Sequence, residues 1–379
     1  VGLKPWLSPV RRMILRNLVR QPVRAATTVV GVAAAVSLLV VGRFSLDSIG
    51  EIIAVQFFAT ERQDVTISFV ERAPRRAIFD VSNLPGVVAA EPVLAAAVRL
   101  RHGPRSRLTA VSGLVGAPRL SRVVDVNDGP VALPPAGLVL SRFLAGQLGV
   151  RPGDRVELEL LQGERRTYAV AVSRVVEQWV GAPAYMHIDA LQRLVNEGDL
   201  VSGAFIEVAG ADAEALYGAL KSAPRVASVN VKRAALDTFN RTLEDTVYVQ
   251  IFFTLVVAGT IAFGVVYNAA RVSLSERARE LASLRILGFT RGEVSAILLG
   301  ELAALTMAGL PLGCLGGYGL ASLLSAAFQT EMFRLPVIIS TRTYALAALG
   351  TAGAGLVSAL VVRRRLDRLD LIAVLKARD

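Results

Sequence analysis

Residues 268–301 read NAARVSLSERARELASLRILGFTRGEVSAILLGE, and this stretch decides how the chain is organised. It is charged and amphipathic, and it lies between two uncharged runs, Thr246–Ala270 and Leu302–Thr330. Leu274, Ala278, Leu281 and Leu284 recur at helical spacing, while Glu276–Arg279 and Arg277–Glu280 are placed as i, i+3 ion pairs. Gly288 suits the position just past a helix end. Thr290-Arg-Gly-Glu293 has the form of a capping box, with Phe289 and Val294 placed as its staple. One helix therefore ends and another begins within about three residues, which makes a stiff lever. A surface-lying amphipathic helix without a partner fits the spacing equally well.

Spanning a bilayer takes about 20 mostly apolar residues, in helical form so that every backbone polar group is satisfied within the segment. Four runs qualify, Ala25–Gly42, Val247–Ala270, Leu302–Ala327 and Thr343–Val362. With their helical lead-ins they give expected spans at 25–43, 247–270, 294–327 and 343–362, joined by a 271–293 connection and a short 328–342 loop. A hydrophobic share of 53% and a mean hydropathy of +0.50 are too modest for a chain that is membrane throughout. Only 44–246 has room for a folded block.

Lys and Arg placement sets the expected orientation. Lys4, Arg11, Arg12, Arg16, Arg20 and Arg24 precede the first span without a single acid. Arg271, Arg277, Arg279, Arg285 and Arg291 follow the second span against Glu276, Glu280 and Glu293. The 363–379 tail holds Arg363, Arg364, Arg365, Arg368, Lys376 and Arg378 against Asp367, Asp370 and Asp379. These three flanks account for the whole net charge of +11 and leave the large block neutral. The charge is thus a topology signal, with both termini cytosolic and the block extracytoplasmic. Because it is split among membrane flanks and gathered on no single face, it does not read as nucleic-acid binding.

Ser8-Pro9 opens a basic interfacial helix within 1–24, with Arg12, Arg16 and Arg20 on one stripe facing anionic headgroups; a plain basic anchor is the alternative. Beyond the first span, 44–63 keeps a helical pattern and reads as a stalk, matched by a second stalk over 233–245. Between them, strands are expected at 64–70, 87–94, 97–101, 107–111, 155–161, 167–176, 204–208 and 226–231, with helices at 141–148 and 213–221. The fold class is therefore membrane α-helical, four transmembrane helices with an α+β domain inserted between the first and second. The first and last strand–helix–strand pieces adjoin the membrane in sequence, and the central piece reads as an insertion.

Gly309, Gly313 and Gly317 repeat at four-residue spacing in the third span, a pattern that permits close helix packing, and Pro311 is expected to kink it. Glu301 is the one acid within a span, placed to reach the interface or to pair with Arg271. Cys314 is the sole cysteine, so no disulfide forms within one chain, and His102 and His187 are isolated, which argues against a metal site. The chain begins at Val1, leaving a processed product or a piece of a longer protein as the two readings.

RARELASLRILGFTRGEV at 277–294, with Glu301 early in the next span, resembles the permease domain of the FtsX, LolC/LolE and MacB group of ABC transporters. LGVRPGD at 148–154 and PAYMHIDALQRLV at 183–195 resemble pieces of that group's periplasmic domain, and LDLIAVLKARD at 369–379 resembles its C-terminal tail. Residues 7–31 and 57–69 resemble the second half of the double-length members, which would account for the missing Met.

The resemblance implies a coupling helix docking into a groove on a separate ATPase. Leu281, Leu284 and Leu287 would be buried there, with Arg277, Arg279, Glu280 and Arg285 at the rim and Gly288 and Thr290 closing the element. It implies a non-enzymatic subunit of the bacterial inner membrane with no cofactor or metal of its own. No G-x-x-x-x-G-K-[ST] occurs, so ATP and Mg are expected in a partner ATPase dimer. The other implied partners are a second permease half or a homodimer, membrane lipids, and a periplasmic adaptor, lipoprotein carrier or wall hydrolase; nucleic acid is not among them. The implied work is export or extraction of a lipoprotein, lipid, peptide or other hydrophobic cargo, or mechanotransmission to a wall hydrolase without transport. The residues show no G-x-S-x-G, H-E-x-x-H or paired-histidine pattern for a membrane-bound hydrolase.

Overall fold

A computed structural model describes residues 16, 19–163, 165–209, 213–243, 248–276, 283, 289–328 and 334–368. The chain divides into two units, one over 1–48, 244–327 and 337–379, the other over 49–243 and 328–336.

The first unit is built on four helices, α1 (Pro22–Ile53), α7 (Val249–Glu276), α8 (Arg291–Ala327) and α9 (Thr341–Arg368). Each contains a stretch long and apolar enough to cross a membrane, the shortest being 24 residues, or about 36 Å at 1.5 Å per residue against a hydrocarbon core of about 30 Å. Their apolar faces meet around Val32, Val36, Leu39 and Val40 of α1, with Ala258 and Val266 of α7, Ala347 of α9, and Leu310 and Cys314 of α8. Small residues set the spacing. A Cβ on Gly309, Gly313 or Gly317 would lie 2.8, 2.5 or 2.7 Å from Val32 Cγ1, Val36 Cβ or Val40 Cβ respectively. The two four-residue rows interdigitate, and Ser37 Oγ donates across the seam to the Gly313 carbonyl at 2.9 Å. Gly31 and Gly42 of α1 likewise admit Val265 and Thr254 of α7. Helix α8 runs without a break through Pro311, which lies on an exposed face.

These contacts fix the directions of the helices. Gly31 meets residue 265 and Gly42 meets 254, so α1 and α7 run antiparallel; 309, 313 and 317 meet 32, 36 and 40, so α1 and α8 run parallel. At the far end of α1, Asp47 Oδ2 accepts from Ser340 N at 2.8 Å, just before α9 begins. The chain thus leaves the bundle for the inserted unit at one end and connects α7 to α8 at the other.

In the second unit, α1 passes into a π-helical turn over Ala54–Thr60. The strands are β1 (Val65–Pro74), β2 (Val87–His102), β3 (Arg105–Leu114), β4 (Val123–Asp125), β5 (Gly129–Val131), β6 (Leu138–Ser141), β7 (Arg155–Leu160), β8 (Thr167–Val176), β9 (Ala184–His187), β10 (Leu200–Val208) and β11 (Val226–Val231). The helices are α2 (Ala77–Ser82), α3 (Arg142–Leu148), α4 (Ile188–Val195), α5 (Ala213–Ser222) and α6 (Lys232–Leu243). Strands β11-β1-β10-β2 form one antiparallel layer. With α2 between β1 and β2 and α5 between β10 and β11, this is the split βαβ arrangement in the order 4-1-3-2.

The rest is inserted between its second and third strands. Strand β2 continues past Val93 to pair with β3, and the path β2-β3-β9-β6-β8-β7 returns to β2 through Val98↔Leu160 to Arg101↔Glu157. A closed six-stranded barrel results, which leaves no free edge. Its interior and the layer under β1 and β10 share one core that includes Ile67, Leu94, Leu100, Leu140, Leu158 and Ile206. Strand β7 alternates in the expected way, burying Val156, Leu158 and Leu160.

Three expectations are corrected. The separate strands at 87–94 and 97–101 are one strand, because β3 takes up the pairing at Leu94 where β10 leaves it at Val93. The helix that enters the block gives way to the π-helical turn at 54–60 before the strands begin. The expected 328–342 loop is divided, Phe328–Pro336 being assigned to the second unit and the remainder from Val337 to the first. In the second unit Arg334 N donates to the Trp179 carbonyl at 3.0 Å, and its guanidinium lies 3.3 Å from Glu177 Oε1 and 4.7 Å from the centroid of Phe143. The short helix at 141–148 forms as α3, with Ser141 Oγ accepting from Leu144 N and Gly149 left-handed at φ 69°.

Candidate functional site

The site is the end of the bundle where α7 hands over to α8. Arg24, near the start of α1, reaches across to α7: Nη1 pairs with Glu276 Oε2 at 2.6 Å and Nη2 donates to the Ala269 carbonyl at 2.8 Å. Gln21 Oε1 accepts from Arg24 Nη1 at 3.2 Å, which orients the guanidinium. The guanidinium thus answers a carboxylate and a backbone carbonyl of α7 at once.

Below it, Ala270, Leu298, Leu302 and Val362 of α7, α8 and α9 close a small core with Leu274 packed against them. Val362 brings the Arg363–Arg364 end of α9 to the same place. Among the described residues, Arg24 of the first flank, Arg271 of the second and Arg363 and Arg364 of the third lie at this end of the bundle. Toward the opposite end of α1, the one cation Arg43 is outnumbered by Asp47 and Glu51 in the sequence, so that part of the helix carries no excess of positive charge.

Glu301 is buried at 8% exposure and lines a crevice with Arg24, Thr28 and Ser273, whereas Arg271, its expected partner, is exposed. The acid in the span thus lies among the groups that hold α1, α7 and α8 together.

Across the handover, the capping box is reciprocal. Thr290 N and Oγ1 donate to Glu293 Oε2 at 2.8 and 2.9 Å, and Glu293 N donates to Thr290 Oγ1 at 3.2 Å. Val294 is buried and Phe289 half-buried. Helix α8 therefore starts at a sharp, fixed point. Of the residues expected to touch an ATPase, Arg277, Arg279, Glu280, Leu281, Leu284, Arg285, Leu287 and Gly288 lie outside the described residues, as do the 369–379 tail and most of the basic N-terminal helix; Thr290 is the described one. Gly309, Gly313 and Gly317 lie on the α1–α8 seam.

Sequence reasoning missed two groups. Arg24 was counted as a flank charge, although its distance from Glu276 along the chain hides their pairing. Arg334 carries no periodicity, and its one signal is a cation in an otherwise apolar loop end. Neither histidine has a metal-like setting: His187 Nδ1 accepts from Asp189 N at 3.3 Å as the α4 N-cap, and His102 Nδ1 lies 3.3 Å from the Leu148 carbonyl. Among the described residues no cluster of three or more His, Cys, Asp or Glu gathers.

Comparison with known proteins bears on this site directly. Residues 252–371, which include the whole handover, match the family model FtsX-like permease C-terminal. The matched stretch takes in α8, α9 and nearly all of α7, and about a third of the chain. An uncharacterised ABC transporter permease protein of Mycobacterium tuberculosis is 26% identical over 340 residues, 83% of this chain and 39% of that protein. The chain therefore spans about two fifths of that relative's length. Among solved structures, it is similar to the extracellular domain of the noncanonic ABC-type transporter YknZ from Gram-positive bacteria, at 14% identity and a TM-score of 0.31 over 45% of this chain and 98% of that one. It is also similar to the periplasmic region of MacB from Actinobacillus actinomycetemcomitans, at 13% identity and a TM-score of 0.32 over 52% of this chain and 99% of that one.

Proposed function

We propose that the chain is a permease subunit of an ABC transporter of the FtsX/MacB type, in which a separate ATPase grips the 277–288 segment and moves the inserted unit on the other side of the membrane. The observation that carries this reading is the placement of chain connections: the α7–α8 handover and the departure toward the inserted unit leave the bundle at opposite ends. The positive flanks of the sequence adjoin the handover end along the chain, and the preference of such charge for the inner side supports reading that end as cytosolic.

A push on 277–288 enters a rigid joint. On one side Arg24 ties the end of α7 to α1; on the other the capping box fixes the start of α8. The glycine seam then leaves α1 and α8 little freedom to slide past one another, since packed interfaces are bistable and resist gradual deformation. The motion is delivered to the inserted unit through the helices that enter and leave it and through the 328–336 connection held by Arg334. ATP and its metal belong to the partner, and this chain supplies transmission. The cargo in this reading is hydrophobic: a lipoprotein, lipid, peptide or similar molecule. Driving a wall hydrolase without transport would use the same lever.

Co-purification tests the reading. The chain should recover an ATPase subunit, and Leu284→Asp should abolish that association while membrane insertion is unchanged. Association undiminished by the substitution would remove 277–288 from the docking role.

A further inference from the structure

A cavity of about 420 Å3 opens within the helical unit among α1, α7 and α9. Its walls are chiefly Leu39, Ile251, Leu255, Leu346 and Leu349, and Arg43 is the one charged residue lining it among the described residues. The Thr254 hydroxyl, also in the wall, already donates to the Gln250 carbonyl at 2.9 Å.

Arg43 is in a different position. Its Nε is buried without a hydrogen-bond partner, and it forms no ion pair among the described residues. Asp47, one turn further along α1, is engaged with Ser340 N. A snorkelling arginine keeps its nitrogens in water; here one N–H is withdrawn from solvent and unanswered, which is costly unless an acceptor arrives. The depth is also informative. Arg43 lies about 28 Å along α1 from Arg24 at 1.5 Å per residue, close to the hydrocarbon thickness, so it sits at headgroup level.

We propose that this cavity binds an acyl-chain amphiphile with an anionic head, the chain among the leucines and the phosphate or carboxylate on the Arg43 guanidinium. A guanidinium presents several N–H donors in a plane that suits either oxyanion, and basic pockets between membrane helices are favourable sites for anionic lipid heads. A neutral lipid fills the apolar part and leaves Nε unpaired. The site needs no ATPase, so its test is separate from that of the proposed function.

The full chain is reconstituted in vesicles of phosphatidylglycerol and phosphatidylcholine in equal parts, re-extracted in mild detergent, and its retained lipid quantified by mass spectrometry. A parallel arm uses phosphatidylcholine with oleate, which separates a phosphate head from a free carboxylate. The expected result is at least five-fold enrichment of the anionic species in one or both arms, falling to the bulk ratio in Arg43→Gln. Gly350→Leu should lower retention with Arg43 intact, because Gly350 lines the cavity, a Cβ there meets only Leu39 Cδ1 at 3.8 Å, and the added side chain takes up space the acyl chain would occupy. Absence of enrichment in both arms, enrichment unchanged in Arg43→Gln, or retention unaffected by Gly350→Leu would overturn the proposal.

Discussion

Gly313→Ala is the sharpest single perturbation of the bundle. The added methyl would be placed 2.5 Å from Val36 Cβ and 2.8 Å from the Ala33 carbonyl oxygen. Carbon contacts are favourable near about 3.5–4.0 Å, so α1 and α8 must separate by roughly 1 Å or more at this point. Backbone lies on the far side of the contact, and no flexible side-chain tip can absorb the strain. Overpacking of this kind costs about 1–3 kcal/mol. The separation also stretches the Ser37 Oγ bond to the Gly313 carbonyl, worth about 0.6 kcal/mol in a membrane interior. The two terms together give roughly 2–3 kcal/mol.

Gly319→Ala is the matched control: it lies in the same helix with nothing within 4 Å of its added Cβ, so it should be neutral or slightly stabilising. Unfolding of the purified full chain in mixed micelles, titrated with a denaturing detergent and followed by circular dichroism, reads the difference. Because Gly309 and Gly317 face α1 one turn to either side, Gly309→Ala combined with Gly313→Ala should cost less than the sum of the two. Equal stability of Gly313→Ala and Gly319→Ala would refute the close seam.

Two further predictions concern the inserted unit. Arg334→Ala removes the contacts to Glu177 and Phe143 and should cost about 1–3 kcal/mol. Hydrogen exchange should show faster opening of 328–336 and leave β7 and β8 unchanged; unaltered exchange there would mean that Arg334 holds nothing. Asp125 is buried, which by itself raises its pKa, yet its carboxylate accepts N–H groups of Glu177, Asn127 and Asp128 at 3.0, 2.8 and 3.3 Å and faces Arg174, and the outcome is a carboxyl held below the usual range. A folded pKa below the unfolded value contributes stability that is present above the ordinary carboxylate pKa of about 3.9 and is lost as pH falls through the folded value. Wild type should therefore lose more stability than Asp125→Asn across that acid window, followed by Trp179 fluorescence in a Trp6→Phe background; parallel acid slopes would contradict the assignment.

What was legible in the sequence was local or periodic. The four apolar runs, the four-residue glycine spacing, the Thr290–Glu293 box and the Ser141-to-Gly149 helix are each decided within a few residues, and each has a physical counterpart in the fold. The first and last strand–helix–strand pieces were also readable, because β1, β10 and β11 are bounded by turns. Closure of the barrel was not, since β7 meets β2 across more than fifty residues and nothing in either strand names the other. The short strands β4, β5, β6 and β9 fall below the length at which alternation can be recognised. The expected gap at 95–96 does not exist, because the sequence does not reveal that β2 exchanges one neighbour for another at Val93 and Leu94. Arg24, Arg43 and Arg334 looked alike as charges on or near helix ends. Their different roles depend on what the tertiary fold brings near them: a carboxylate for Arg24, no acceptor for the Arg43 Nε, and a carboxylate and a ring for Arg334.

The most direct test of the account concerns sidedness. In a background with Cys314 replaced by alanine, single cysteines are introduced by Ser283→Cys in the α7–α8 connection and by Ser106→Cys at the exposed start of β3 in the inserted unit. Intact spheroplasts are treated with a membrane-impermeant maleimide, before and after permeabilisation. The account predicts immediate labelling of Ser106→Cys and labelling of Ser283→Cys only once the membrane is opened; labelling of both from the same side would contradict it.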